Sequence, residues 1–202
     1  LFLKRLLVAG FERVYEIGKN YRNEGIDRDH NPEFSELEFY AAYQDYEWLM
    51  KFTEELLAAT VAQVFGNTKT SYKEHVIDWQ GPYQRVKFND LLQTHSGLDY
   101  DAVDERRLGE KAKALEIQID KAMTKGNIAD EIYKKVARPN IIQPTFVIDH
   151  PLDISPLSKK LPDNPTHVAR FQLLVAGNEI INAFSELNDP MDQRERFEEQ
   201  QK

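Results

Sequence analysis

The 202-residue sequence contains no cysteine, and it has no apolar run close to the roughly 20 residues that a membrane-spanning helix requires. The missing thiols exclude disulfides, cysteine nucleophiles and thiolate zinc sites, and they fit a cytoplasmic protein without a membrane partner. Residues 1–5 do not resemble the start of a signal peptide. Because the first residue is not Met, we expect the native N-terminus to lie upstream.

An excess of basic residues is also lacking, since the formal net charge is −8. A segment that is the main anchor for nucleic acid is usually basic, so we do not expect that role here. The acidic balance suits a site for a cationic substrate, although most surface carboxylates are merely solvated. Hydrophobic residues make up 41% of the chain and charged residues 30%, which is typical of a folded globular domain.

The order of periodic segments predicts an α+β fold, in which helices flank a largely antiparallel sheet. A first hairpin is predicted from strands at 11–22 and 34–43. Asp45 is predicted to cap a helix that ends at Gly66. A second hairpin is predicted from strands at 168–176 and 179–187, with its turn at Gly177-Asn178.

Between these hairpins lies a charged stretch without strong strand character, at about 89–137, with Asn127 as a candidate helix cap. We interpret 99–140 as a helical insertion. Residues 1–98 and 141–202 then form the first and second parts of one domain. Asp189 and Pro190 predict the start of a last helix.

Alternation along the second strand places four side chains that can bind a ligand on one face: Phe34, Glu36, Glu38 and Tyr40. Leu37 and Phe39 lie on the opposite face, which we interpret as a core face. The polar face is either a solvated strand surface or the floor of a ligand site. In the second case the ring stacks on a planar group and the carboxylates hold a cation.

Further candidates lie at the ends of strands. Arg22, at the mouth of the first hairpin, can clamp a phosphate, or it is a surface charge. Asn182 and Glu186 share a face of a strand that we expect to be mostly buried, so Glu186 needs a salt bridge or a cationic ligand as its partner. Glu179 has the opposite parity and joins them only if the strand bulges between Glu179 and Asn182.

Three segments together resemble class II aminoacyl-tRNA synthetases, and specifically the lysyl enzymes. Tyr21-Arg22-Asn23-Glu24, His30-Asn31-Pro32-Glu33-Phe34 and Glu38 resemble the second signature motif of that class. The run from Asn178 to Pro190 resembles the lysyl enzymes. So does the run from Pro144 to Pro151 followed by Ile154-Ser155-Pro156-Leu157.

The resemblance implies ATP-dependent activation of L-lysine to lysyl-adenylate, with Mg²⁺, and transfer to the 3′ end of tRNA(Lys) in a homodimer. By position, Arg22 would contact the α-phosphate as the catalytic residue. The resemblance also implies roles for the remaining residues: ATP binding by Glu24, His30, Asn31 and Phe34, lysine binding by Glu38, Tyr40, Asn182, Phe184 and Glu186, and metal binding by Glu179.

Two features depart from the family pattern. Gln172 stands where a second metal-binding carboxylate is expected, which leaves the number of Mg²⁺ ions open. The first and third signature motifs are missing, so we expect a chain truncated at both ends and inactive by itself. The alternatives are a paralogue that lysylates a protein such as elongation factor P, and a non-catalytic binding module on the same fold.

Overall fold

The structure is a computed structural model that describes residues 2–23, 25–26, 30–120 and 122–200. The chain divides into two compact units, residues 1–44 and residues 45–202. None of the helices in the described ranges is both long and apolar enough to cross a membrane. The predicted division at 99 and 140 stays a prediction.

The first unit is a helix and a hairpin: α1 (Phe2–Val8), β1 (Arg13–Tyr21) and β2 (Glu33–Ala41). The two strands are antiparallel and in register from Arg13 opposite Ala41 to Tyr21 opposite Glu33. The face that carries Leu37 and Ile17 is exposed in the structure, by 44% and 70%. The prediction of a core face here is therefore wrong for Leu37, because alternation determines which side chains share a face and not whether that face is covered.

The second unit contains three kinds of element. The helices are α2 (Tyr46–Phe65), α3 (Phe88–Ser96), α4 (Glu105–Ala114), α5 (Lys125–Val136) and α6 (Pro190–Gln200). The strands are β3 (Lys69–Tyr72), β4 (His75–Asp78), β5 (Gln84–Lys87), β6 (Thr145–Pro151), β7 (His167–Val175) and β8 (Asn178–Phe184). Short 3₁₀ turns span Arg138–Asn140 and Leu152–Ile154.

The central sheet of this unit has the order β5-β6-β7-β8, in which only β5 and β6 are parallel among its described neighbours. One core joins β7 and β6 to α2 through residues such as Phe171 and Met50. A second core joins the opposite face to α3, α4 and α5 through residues such as Phe88 and Tyr133. The sheet is therefore flanked by helices, which confirms the predicted α+β fold.

Local signals predicted the helix ends well. Asp45 accepts a hydrogen bond from Trp48 N at 2.9 Å, and Gly66 closes α2 in the left-handed conformation. Asp189 accepts from Met191 N at 2.9 Å and so caps α6. The prediction for Asn127 is wrong: Thr124 is the cap of α5, and Asn127 completes a capping box by accepting from Thr124 N.

The turn between β7 and β8 lies one residue earlier than predicted. Ala176 and Gly177, both with positive φ, form the turn, and Asn178 is already the first residue of β8. The burial of β8 is also lower than predicted. Every residue of β8 is half-buried or exposed, whereas β7 is almost completely buried, because β8 is the edge strand of the sheet.

Substitution by alanine is expected to have opposite effects on stability at two helical glycines. Gly109→Ala in α4 adds a methyl at ordinary contact distance from Ile119 and gains helix propensity, so we expect stabilisation by about 0.5–1 kcal/mol.

Gly126→Ala in α5 places the methyl inside the carboxylate of Asp153, which accepts from Gly126 N at 2.7 Å and from Tyr100 Oη at 3.1 Å. Because both bonds hold that carboxylate, we expect destabilisation by about 1–3 kcal/mol.

Urea unfolding followed by tryptophan fluorescence measures both effects, since Trp48 and Trp79, the two tryptophans of the chain, lie in the second unit. A stabilising Gly126→Ala would show that Asp153 moves aside without loss.

Candidate functional site

The polar face of the hairpin carries the predicted nucleotide group. Arg22 follows β1 directly, and its backbone N donates to Pro32 O at 3.0 Å, which holds the mouth of the hairpin together. Its guanidinium lies over the ring of Phe34, 5.0 Å from the ring centroid. The Arg22 cation thus covers one face of the Phe34 ring, and a planar group can stack on the other face.

The loop between the strands contributes less. Asn31 donates through Nδ2 to Glu33 O at 2.8 Å, a bond that shapes the loop itself. His30 is exposed in the same loop. Glu24, which the resemblance assigns to ATP, lies outside the described residues.

Carboxylates concentrate further along the same face. Tyr40 Oη donates to Glu38 Oε1 at 2.6 Å, so these two predicted lysine-binding residues are in contact. Glu16 on β1 lies directly opposite Glu38 in the register. Like charges directly opposite each other destabilise a strand pair, and a bound cation between them removes that cost. Sequence reasoning missed Glu16, because the register of the hairpin is needed to place it.

A second group of predicted residues lies on β7 and β8. The register shifts between the pair Leu173–Ile181 and the pair Leu174–Glu179, so Ile180 is the extra residue of a β-bulge. The bulge brings Glu179 to the face of Asn182, which donates through Nδ2 to Glu179 Oε1 at 3.1 Å. The predicted condition for Glu179 to join this group is thereby confirmed.

Two amides supply hydrogen bonds to the Glu179 carboxylate. Gln172, opposite Asn182 in the register, donates through Nε2 to Glu179 Oε2 at 2.7 Å. Asn182 reaches the other carboxylate oxygen, and its own Oδ1 accepts from Arg170 Nε at 3.0 Å. Arg170 is in turn held by Ile154 O and Ser155 Oγ, both at 2.9 Å.

His150 lies behind Gln172 and is completely buried. Its Nε2 is 3.2 Å from Gln172 Oε1 and its Nδ1 is 3.4 Å from Arg170 O, and both of these oxygens can only accept. A neutral imidazole carries a single N–H, which we assign to Nε2 because that contact is the shorter one. Burial, together with the Arg170 charge and His167, lowers the pKa of His150 from 6.5 to about 3. A neutral imidazole therefore orients the Gln172 amide. Sequence reasoning assigned no role to His150 or Arg170.

His150 predicts a loss of stability in mild acid. Between pH 6.5 and about 3 the unfolded chain takes up a proton that the folded chain does not, so stability falls with pH by about 1.4 kcal/mol per unit. The variant His150→Gln leaves the charged and titratable neighbours unchanged. These are Arg170, His167 and, across Gln172, Glu179. We expect this variant, which keeps a donor toward Gln172, to lose less stability than the wild type between pH 6 and 4.

Urea unfolding at each pH, read by tryptophan fluorescence, measures the difference between the two slopes. His75→Gln, at the start of β4, controls for the removal of a histidine. Parallel slopes for the wild type and His150→Gln would contradict the assignment of the acid sensitivity to His150.

Glu186 lies just beyond β8 and is half-buried. Its backbone pairs with Ser158 in an isolated antiparallel bridge, and the flanking bonds from Lys159 N to Ser185 O and from Leu187 N to Leu157 O hold it on both sides. The buried Arg196 donates to Ser158 O at 2.8 Å. The segment that carries Glu186 is therefore well anchored, and Phe184 precedes it, opposite Arg170.

The whole chain, residues 1–202, matches the family model of tRNA synthetases class II (D, K and N). The chain belongs to this family. It is 50% identical to a lysine–tRNA ligase of Christiangramia forsetii, 47% to one of Porphyromonas gingivalis and 49% to one of Aquifex aeolicus. Each match covers 100% of this chain but only 36%, 35% and 34% of the relative, so the chain spans about a third of their length.

Membership of this class II family confirms the resemblance of the three segments, and the lysine–tRNA ligase relatives extend it across the whole chain. The roles of individual residues stay predictions. Within each unit the structure brings the predicted residues together: Arg22 with Phe34 and Glu38 with Tyr40 in the first, Glu179 with Asn182 in the second.

Proposed function

We propose that this class II synthetase chain is part of the catalytic core of a lysine–tRNA ligase, which activates L-lysine with ATP and transfers it to tRNA(Lys). The observation that carries the proposal is the polar face of the hairpin. There Arg22 lies over Phe34 at one end, and Tyr40 donates to Glu38 further along the strand. One hairpin thus presents groups for adenine and phosphate, and groups for an ammonium.

In the activation step the lysine carboxylate attacks the α-phosphate of ATP, and pyrophosphate leaves. Adenine stacks on Phe34, and the Arg22 guanidinium lies 5.0 Å from the centroid of that ring. Arg22 donates hydrogen bonds to the α-phosphate as its negative charge grows, and His30 lies near the outer phosphates. Positioning and charge neutralisation of this kind account for most of the rate gain in phosphoryl chemistry.

Lysine is recognised by charge. The family pattern assigns the ε-ammonium to Glu38 and Tyr40 in the first unit and to Glu186 in the second. It assigns the rest of the amino acid to Asn182 and Phe184. The position of Lys4 supports the role of Tyr40, since its Nζ lies 5.6 Å from the centroid of the Tyr40 ring and the ring thus already faces an ammonium. An aspartate side chain meets like charge at carboxylates of this kind and is rejected.

A Mg²⁺ ion, when bound, would neutralise the phosphate oxygens of ATP. Glu179 is the carboxylate that fits this role. In the described ranges no three histidine, aspartate or glutamate side chains converge as a ligand set. Glu179 would therefore hold the ion together with phosphate oxygens and water, a mode that is common for Mg²⁺.

Calorimetric titration of the chain with a non-hydrolysable lysyl-adenylate analogue tests this function, with the aspartyl and arginyl analogues in parallel. We expect measurable binding of the lysyl analogue, at least about 100-fold weaker binding of the aspartyl analogue, and loss of lysyl binding in Arg22→Ala. Equal binding of all three analogues, or unchanged binding in Arg22→Ala, would overturn the assignment.

The tRNA and a second copy of the protein are further proposed partners. Binding of tRNA(Lys) transcripts by a protein that also selects the lysyl analogue separates a tRNA ligase from a protein-lysylating paralogue. If this chain binds no adenylate analogue, the titration is repeated with a chain extended at both ends, and failure of the extended chain to bind any analogue favours the non-catalytic module.

A further inference from the structure

The amide of Gln172 points its nitrogen, not its oxygen, at the Glu179 carboxylate. Rotating the amide by half a turn would bring an acceptor oxygen to the 2.7 Å position beside Glu179 Oε2, which is also an acceptor. The observed orientation is therefore the only one of the two that satisfies both groups. It also places Gln172 Oε1 where His150 Nε2 donates to it.

This orientation is held by buried groups. Gln172 is 5% exposed and His150 is not exposed at all. The His150 ring packs against the ring of Phe88, with their centroids 5.6 Å apart, and Tyr133 Oη lies 3.5 Å from Gln172 Oε1. Turning the Gln172 oxygen toward a cation would take the acceptor away from His150 Nε2, and the N–H of the ring would then have only the longer contact from Nδ1 to Arg170 O, at 3.4 Å. This exchange has a cost that a weakly bound ion does not offset.

We propose that Gln172 is a specificity-determining residue for cations: its amide competes for Glu179, so that this site binds a divalent ion through one carboxylate and without the Gln172 oxygen. The Gln172 amide occupies one of the lone pairs of Glu179 Oε2 and draws on its negative charge, so a divalent ion competes with this donor for the oxygen. The affinity of such sites rises with the number of charged ligands, so the site should bind weakly until a nucleotide adds its phosphates. This inference rests on the proposed function in one respect only, namely that ATP is the nucleotide whose phosphates complete the metal site.

The isosteric variant Gln172→Glu removes the competing donor and adds a second carboxylate to Glu179. Without a metal the new carboxylate at the buried position 172 lies beside the exposed carboxylate of Glu179. Its burial and the repulsion between the two charges both disfavour the folded state, so we expect the melting temperature in EDTA to fall by several degrees. Addition of 5 mM Mg²⁺ should restore it. The wild type and the exposed control Gln84→Glu on β5 should shift by less than about one degree on the same addition.

Titration with Mn²⁺, read by electron paramagnetic resonance in the absence of ATP and lysine, gives the second measurement. We expect binding at least about tenfold tighter in Gln172→Glu than in the wild type, and no change in Gln84→Glu. Because no substrate is present, failure of this titration is distinguishable from failure of the proposed function.

Gln172→Met decides between a competitor and a ligand, and it serves if Gln172→Glu does not fold. Methionine keeps the volume of the side chain and removes the amide. Tighter Mn²⁺ binding than in the wild type, lost again in the double variant with Glu179→Gln, supports the proposal. Weaker Mn²⁺ binding in Gln172→Met would show that the Gln172 oxygen is a metal ligand and would overturn the proposal. A melting temperature of Gln172→Glu that does not depend on the cation would overturn it too.

Discussion

In Glu186→Gln, the affinity for a lysyl-adenylate analogue falls by about 10- to 100-fold, whereas the affinity for the norleucyl analogue, which lacks the ε-ammonium, stays nearly constant. The physical reason is that a charge-assisted hydrogen bond contributes about 1.5–3 kcal/mol, and a neutral amide of the same shape loses most of it. The backbone bridge of Glu186 to Ser158 does not involve the substituted atoms and is kept in Glu186→Gln.

Calorimetric titration of both analogues against both proteins forms a double-mutant cycle. Glu195→Gln, an exposed position on α6, is the matched control and should bind like the wild type. An equal loss for both analogues would mean that Glu186 supports the pocket without contacting the ammonium, and the assignment of the cation to Glu186 would then be wrong.

Phe88→Ala is expected to destabilise the second unit by about 3–5 kcal/mol, a large share of the 5–15 kcal/mol that is usual for a domain. Phe88 is completely buried at the start of α3. Its ring centroid lies 4.8 Å from that of Tyr133 and 5.6 Å from that of His150. Removal of the ring leaves a cavity against both residues, which are also the residues that contact Gln172.

Urea unfolding by tryptophan fluorescence measures this loss, and Phe65→Ala, whose side chain is 61% exposed, is the control with an expected change below about 1 kcal/mol. Similar effects of the two substitutions would mean that the core around Phe88 collapses into the cavity. Mn²⁺ binding in Phe88→Ala should also change, because the residues that orient Gln172 lose a packing partner.

The sequence predicted those features that depend on near neighbours in the chain. The cap at Asp45, the end of α2 at Gly66 and the start of α6 at Asp189 each need only a few adjacent backbone groups. The shared face of Phe34, Glu38 and Tyr40 follows from strand alternation, which is also local. The choice between Thr124 and Asn127 as the cap of α5 was less determined, since both side chains suit that position and the two form one reciprocal pair.

The family was also visible in the sequence, because its motifs are runs of residues in a particular order. The expected roles of residues such as Arg22 and Glu186 follow from their positions within these motifs and not from the tertiary structure. The prediction of a bulge between Glu179 and Asn182 was conditional on their serving one site, and the structure then located it at Ile180.

Only the tertiary structure decided the contacts between residues that are far apart in the chain. Glu16 meets Glu38 because of the hairpin register, and His150 orients Gln172 because β6 and β7 are neighbours in the sheet. The direction of the Gln172 amide follows from its partners on both sides, and its own side chain has no preference between the two orientations. Local preference thus determined where the elements and motifs lie, and packing determined which donor each carboxylate meets, since such contacts form only after distant strands are paired.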